Sequence, residues 1–436
     1  MNKYSLHTLK NGLRVVLVPN NNTQAVTVLV LVKVGSRQEP ADLNGVAHFV
    51  EHMMFKGTKK RPRPVDIPRE LEGVGAEYNA FTGKEYTGYY IKLASDKLEL
   101  ALDILSDMLL TSKFSASELK RERGVILEEI NMYEDNPRAT VDNLYEALVY
   151  QGHSLARPIS GPKKVIRKIT RTELVQYKQN FYYGANSVVV VAGNINLKLQ
   201  KSKNHRNYNT LELVGKYFTK YNSKKTEKSI INFQNKQASP RIKIKNKKTE
   251  QIHLAMGFPS FADEDLRSKA AKVLSVILGG GMSSRLFIEA REKRGLCYNI
   301  LATATTYEDT GDFMIKAGLD SSRLEPAIKL ILEQLKKIRK ILVGQNELIK
   351  AKEYIKGASI LSLEDAEAQA GFYAREVIFG ERILTPAAKL KQIEKITSQQ
   401  VKAVANEIFQ PSKLNLALIG PLKLSYKAKL ERLLAV

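Results

Sequence analysis

Residues 45–58 read GVAHFVEHMMFKGT, and the five at the centre, His48-Phe49-Val50-Glu51-His52, are those around which the rest of the chain is organised. Apolar Val46, Phe49, Val50, Met53 and Met54 surround three polar residues, and Gly57 offers a stop, so the pattern predicts a helix. On a helix His48 and His52 stand one turn apart on the same face. Two neutral imidazoles at that spacing can share one tetrahedral Zn²⁺ and leave positions for a third ligand and a water. Glu51, one turn from His48 and next to His52, can bring its carboxylate to that water. The competing reading is an ordinary polar patch on an amphipathic helix, and the weight of the first reading rests on a third ligand.

A candidate lies some seventy residues on, in a helix predicted over residues 116–133. Ser115 is its N-cap, with Glu118 three residues later as in a capping box. Leu119, Ile126 and Tyr133 recur every seven residues and define a stripe predicted to be buried, and Glu122 and Glu129 fall on that stripe. A carboxylate on an apolar face asks for a cation, because desolvating it alone is costly. Glu128 shares the polar side with Arg121 and Gly124, so the spacing favours Glu129 as the ligand, with Glu122 two turns below it. The alternative is that both acids pair with buried Arg or Lys.

Composition bounds the rest. At 436 residues the chain exceeds one ordinary domain, and two domains of about 200 residues are expected. A 43% hydrophobic share with 26% charged residues is that of a soluble globular chain. No apolar run reaches membrane-spanning length, and the opening MNKYSLHTLKNGLRVVLV lacks signal-peptide patterning. The single cysteine, Cys297, excludes an internal disulfide and fits a reducing compartment, so a cytoplasmic location is expected. Half of the net charge of +24 sits between Lys198 and Glu250, where 15 Lys and Arg face three Glu. Nucleic-acid recognition would want aromatics interleaved with arginines on a recognisable module, whereas these lysines are scattered among Asn, Ser and Thr, which argues against nucleic acid and leaves an acidic surface or peptide as a compatible partner.

In order along the chain, strands are predicted at 7–19 and 25–34, a hairpin over 76–93 turning at Gly83-Lys84, a helix at 98–110, and a helix over 138–150 after the break at Pro137. The run SVVVVA at 187–192 is a strongly apolar strand, and the linker is placed within the lysine-rich stretch, at 223–240. The second half then repeats the first. Ile91-Lys92-Leu93 followed by SDKLELALDIL matches Ile315-Lys316-Ala317 followed by LDSSRLEPAIKLIL. SASELKRERGVI matches VGQNELIKAKEYI at an offset of 229, which pairs Glu122 with Ala351 and Glu129 with Ala358. The helix expected over 266–278 replaces the histidine-bearing one and carries no histidine. One copy holds the chemistry and the other has lost it.

H-x-x-E-H, the downstream ERGVILEE, the intervening NAFTGKEYTGYY, and a second half with GGGMSSRLF and REKRGLCY together resemble the pitrilysin-type zinc peptidases, which include the mitochondrial processing peptidases and insulin-degrading enzymes. The length is similar to that of the short single-unit members. The resemblance implies an α+β fold of two tandem homologous domains, each a mostly antiparallel sheet with helices packed on it, forming half of a clamshell. It implies a catalytic zinc domain at 1–222 and a non-catalytic domain at 241–436 that contributes substrate contacts. One Zn²⁺ per chain is implied, on His48, His52 and Glu129, with Glu51 as general base and Glu122 as a supporting acid. Asn79 and Ala80 match the edge-strand segment that holds substrate by strand addition. Arg291 and Tyr298 match a substrate-contacting pair, against a surface arginine and a core tyrosine as the plainer reading. Gly279, Gly280 and Gly281 match a glycine-rich stretch of the processing peptidases, or make a helix end and turn. The implied activity is zinc-dependent cleavage of unstructured or presequence-like peptides inside a chamber made by a homodimer, or by a heterodimer with an inactive homologue. A scaffold subunit with a vestigial site is the alternative from another class.

Overall fold

The structure is a computed structural model that describes residues 4–195, 209–223, 231–380 and 382–434. The chain divides into two compact units, and neither is contiguous in sequence. The first comprises residues 1–130, 158–230 and 360–384, the second 131–157, 231–359 and 385–436. Of the linker expected at 223–240, residues 224–230 lie outside the described residues, as does 196–208 of the lysine-rich stretch. The middle of that stretch is a helix, Thr210–Phe218, closed by a capping box between Asn209 and Glu212.

The first unit is built on a six-stranded sheet of β1 (Ser5–Thr8), β2 (Arg14–Pro19), β3 (Ala25–Val32), β4 (Glu77–Thr82), β5 (Thr87–Ala94) and β6 (Ser187–Gly193). The spatial order is β1-β2-β6-β3-β5-β4, with β2 and β6 parallel and every other pair antiparallel. The segment 7–19, expected as one strand, is two. Asn11-Gly12 turns the chain, with Gly12 at φ +82° and the Leu13 amide donating to Asn11 Oδ1 at 3.1 Å. All of β6 is buried because both faces of the sheet are covered. One face packs on the helices Val46–Met54, Leu98–Thr111 and Ala116–Asp135. The other, made of Val16, Val18, Leu29, Leu31, Val188 and Val190, is covered by the helix Ala366–Phe379 from late in the chain.

The second unit repeats this plan with β7 (Arg241–Asn246), β8 (Ile252–Ser260), β9 (Cys297–Thr306), β10 (Gly311–Leu319) and β11 (Asn415–Gly420) in the order β7-β11-β8-β10-β9. β7 and β11 are parallel and the rest antiparallel, so the five strands copy β2-β6-β3-β5-β4 pair by pair. One face of this sheet carries the helices Arg267–Gly279 and Leu324–Lys340. The other takes Val141, Tyr145 and Val149 from the helix Pro137–Val149, which precedes the unit's strands in sequence. The two covering helices begin 229 residues apart, so each copy of the repeat lends the same helix to the other's sheet. Among the described residues no helix is long and apolar enough to cross a membrane.

Candidate metal centre

The site grows from the helix Val46–Met54, whose start is fixed by a carboxylate. Glu39, itself buried, accepts from the amides of Gly45 and Ala47 at 2.8 Å each and from Asn44 Nδ2 at 2.7 Å. This satisfies amides that the helix cannot pair internally and puts negative charge at its positive end. Gly45 enters at φ +101°, and a Cβ there would come within 2.5 Å of Ile166 Cδ1, so only glycine fits. Val46, Ala47, Phe49, Val50, Met53 and Met54 are buried in the core, which turns His48 and His52 together to the opposite side.

The helix Ala116–Asp135 presents Glu122 and Glu129 to those histidines. Its buried stripe is Leu119, Glu122, Ile126 and Ile130. Tyr133, expected in that stripe, is 42% exposed, since the helix outruns the core it packs on and Ile130 is the last side chain to reach it. His48 Nε2 and His52 Nε2 are 3.3 Å apart, and Glu129 Oε2 lies 3.6 Å from the first and 3.4 Å from the second. A tetrahedral ion with bonds of about 2.1 Å separates its ligand atoms by roughly 3.4 Å. The three donors therefore stand at the edge lengths of one such tetrahedron, and two imidazoles with a carboxylate are a zinc donor set. The second contact of His52 fits too. Its Nδ1 is 3.2 Å from Glu122 Oε2 and donates to that carboxylate, which leaves Nε2 as the lone-pair side. His48 Nδ1 is buried without a hydrogen-bond partner among the described residues.

Electrostatics divide the two imidazoles. Burial pulls the His48 pKa down to about 4, with the His52 charge adding to it and Glu129 opposing. Burial also acts against charge on His52, but the carboxylates of Glu122 and Glu129, with Glu51, outweigh it and push that pKa up to about 9. Three acids around two histidines thus draw positive charge into this place. Burial raises the Glu51 pKa, held back by the Thr82 hydroxyl, which donates to Glu51 Oε2 at 2.5 Å, and by His52. Burial alone would raise Glu122 too, yet its partners His52 and Lys56 hold it below the ordinary carboxylate range. Lys56 Nζ is 2.8 Å from Glu122 Oε1, so for this acid the lysine pairing named as an alternative is present alongside the histidine contact.

Lys56 and Thr82 are the two residues the sequence reading missed. Both carried a signal: Lys56 follows His52 by four, and Thr82 shares a strand face with Ala80. Asn79 and Ala80 lie on β4, the free edge of the first sheet, where the Ala80 amide donates to Asn79 Oδ1 at 2.9 Å. Arg291 and Tyr298 belong to the second unit. The guanidinium lies 4.9 Å from the Tyr298 ring centre and 4.8 Å from that of Phe287, and Tyr298 is 72% exposed. Gly279 ends the helix Arg267–Gly279 against β9, where a Cβ would meet the Ala302 amide at 2.3 Å, whereas Gly281 has space around it.

Comparison with known proteins adds an independent line. The model of the family described as Insulinase (Peptidase family M16) matches residues 14–163, and that of the Peptidase M16 inactive domain matches 168–355. A Bacillus subtilis protein named "Uncharacterized zinc protease YmxG" is 33% identical over 95% of this chain and 98% of its own. A Streptomyces coelicolor protein also named an uncharacterized zinc protease is 34% identical over 95% of this chain and 89% of its own. A crystal structure of a protease from Helicobacter pylori superposes with a TM-score of 0.87 at 26% identity, covering 96% of this chain and all of that one. A peptidase M16 inactive domain from Pseudomonas fluorescens has the same fold, with a TM-score of 0.86 at 21% identity over 97% of this chain and 99% of that one. The chain belongs to peptidase family M16, the insulinase family.

Proposed function

We propose that this chain is a zinc-dependent endopeptidase that cleaves unstructured or presequence-like peptides. The observation that carries the reading is the convergence of His48 Nε2, His52 Nε2 and Glu129 Oε2 at tetrahedral edge distances on a helix that also bears Glu51. His48, His52 and Glu129 would hold the ion, which supplies a Lewis acid that polarises the peptide carbonyl and acidifies water. Glu51 takes the proton from the attacking water and passes it to the departing amine, a task that suits a carboxylate whose pKa burial has raised. Thr82 fixes one oxygen of Glu51 and leaves the other to move the proton. Glu122 holds the His52 ring through Nδ1 and so acts by positioning. On β4 the Ala80 amide is satisfied by the Asn79 side chain, which a substrate strand would displace as it pairs with the edge. Arg291, already stacked on the exposed Tyr298, would contact substrate from the non-catalytic half.

The same reading places the catalytic domain at 1–222, the linker at 223–240 and the non-catalytic domain at 241–436. A pair of chains, identical or with an inactive homologue, would enclose the chamber, as in the short members of the family. A reducing, cytoplasmic setting is supported by the single cysteine. The test is cleavage of a mixed set of unstructured peptides by wild type and Glu51→Gln, with zinc quantified in each. Glu51→Gln is expected to retain zinc and lose about 10²–10⁴-fold in turnover. Undiminished cleavage by that variant would remove Glu51 from the mechanism.

A further inference from the structure

In the second unit the first turn of the helix Pro137–Val149, with β8, β9 and β10, lines a cavity of about 140 Å³. One water needs roughly 10–15 Å³ on this measure, so the space holds several waters or one carboxylate group on its stem. Its charged lining is cationic, made of Arg138 and Lys316, with His253, Gln251 and Tyr298 beside them. The Lys316 charge is matched by Asp142 at 2.6 Å. Arg138, an exposed residue of this lining, forms no ion pair among the described residues. Burial, reinforced by the charges of Arg138 and Lys316, lowers the His253 pKa, so its imidazole faces the cavity neutral and able to share a hydrogen bond.

The first unit carries the corresponding cavity with a different character. There the first turn of the helix Ala366–Phe379 lies against β3, β4 and β5 around about 350 Å³, lined by Phe81, Tyr86 and Tyr90 and by charges of both signs, Asp365, Glu367 and Arg375. Lys92 pairs with Asp365 at 2.8 Å much as Lys316 pairs with Asp142. At the repeat offset of 229, Glu367 stands where the second unit has Arg138. The frame accommodates either sign at that position, so packing does not dictate the arginine, and an unpaired guanidinium beside a cavity of mixed lining is left for something else to match.

We propose that the second-unit cavity binds a carboxylate of the peptide substrate, either its chain terminus or an Asp or Glu side chain, on the Arg138 guanidinium. The fork of a guanidinium matches a carboxylate with two parallel hydrogen bonds. Gln251 and His253 supply neutral partners, and Asp142 disfavours a more highly charged anion such as phosphate. That the carboxylate belongs to a peptide rests on the peptidase reading above; the anion site itself does not.

The test uses rhodamine-labelled unstructured peptides that carry either Glu or Gln internally and end in either a free carboxylate or an amide. Their affinity is read by fluorescence anisotropy at low salt on Glu51→Gln protein, which leaves them uncleaved. Carboxylate-bearing peptides are expected to bind about ten-fold tighter than the fully neutral one. Arg138→Gln, added to Glu51→Gln, is expected to reduce that advantage to under about two-fold, and Arg138→Lys to retain part of it. Whether the internal Glu or the free terminus carries the advantage names the source. Equal affinities across the four peptides, or an advantage that survives Arg138→Gln, would overturn the proposal. Failure of the peptidase reading shows separately, as wild type that cleaves none of the peptides while the affinity difference and its loss on Arg138→Gln still hold.

Discussion

Glu122 does two things at once, and its two oxygens divide them. Oε2 takes the His52 Nδ1 proton at 3.2 Å, and Oε1 takes the Lys56 ammonium at 2.8 Å. The lysine keeps the carboxylate ionised in spite of its burial, and the ionised carboxylate keeps His52 in the tautomer with Nε2 free. Glu122→Gln preserves shape but removes that charge, and an amide presents a donor as readily as an acceptor to the ring. We expect zinc affinity to fall about 10–100-fold with the fold unchanged, read by competition with a chromophoric chelator at fixed pH. Unaltered affinity would mean that Glu122 serves Lys56 alone. The sequence marked both acids because each broke an apolar stripe on a strongly periodic helix. Lys56 drew no notice because a lysine just past a helix end is ordinary, and only the tertiary contact shows what it neutralises.

At the scale of elements, local periodicity located the helices 46–54, 98–111 and 116–135 to within a residue or two, because each must bury one face. The hairpin at Asn11-Gly12 was lost within an apolar stretch that continues on both sides of the turn. Which sheet a helix covers is a different matter. An apolar face says that a helix must pack, but its partner here is non-local, and nothing in the spacing of Val141, Tyr145 and Val149 names Ala255, Ala417 and Ile419. That lent helix seats over a buried acid. Asp312 of β10 accepts from the Tyr150 hydroxyl at 3.0 Å, and burial, with Glu146 and Asp142 adding, raises its pKa to about 7 against the tyrosine hydrogen bonds. A carboxyl raised from about 4 in the unfolded chain contributes its stability below that pH and loses it as pH rises to about 7. Asp312→Asn, which stays neutral, should therefore gain on wild type between pH 5 and pH 8. The gain expected is roughly 2–3 kcal/mol, at about 1.4 kcal/mol per pKa unit. Urea unfolding of both proteins at the two pH values reads the difference, and a gap that does not change with pH would put the Asp312 pKa back in its ordinary range.

For the whole molecule, the exchange of helices means that the repeat in the sequence is not the unit that folds. The six side chains Val16, Val18, Leu29, Leu31, Val188 and Val190 are each 2% exposed or less, and they owe this to Ala370, Tyr373, Ala374, Val377 and Ile378. The lent helix is also tied by the Arg14 guanidinium, which donates to the Val377 carbonyl at 2.5 Å. A fragment cut at 222 keeps the strands and loses that cover. At about 1.5–3 kcal/mol for each buried Val or Leu, uncovering six removes on the order of 10 kcal/mol, as much as the net stability of a typical domain. Residues 1–222 expressed alone should accordingly aggregate or bind a hydrophobic dye, although all the candidate metal ligands are present. Co-expression with 223–436 should restore a soluble one-to-one complex, because each fragment returns the helix the other lacks. Size-exclusion chromatography and dye binding decide the matter: a soluble fragment 1–222 that unfolds cooperatively would show that the sheet can close that face without the helix Ala366–Phe379.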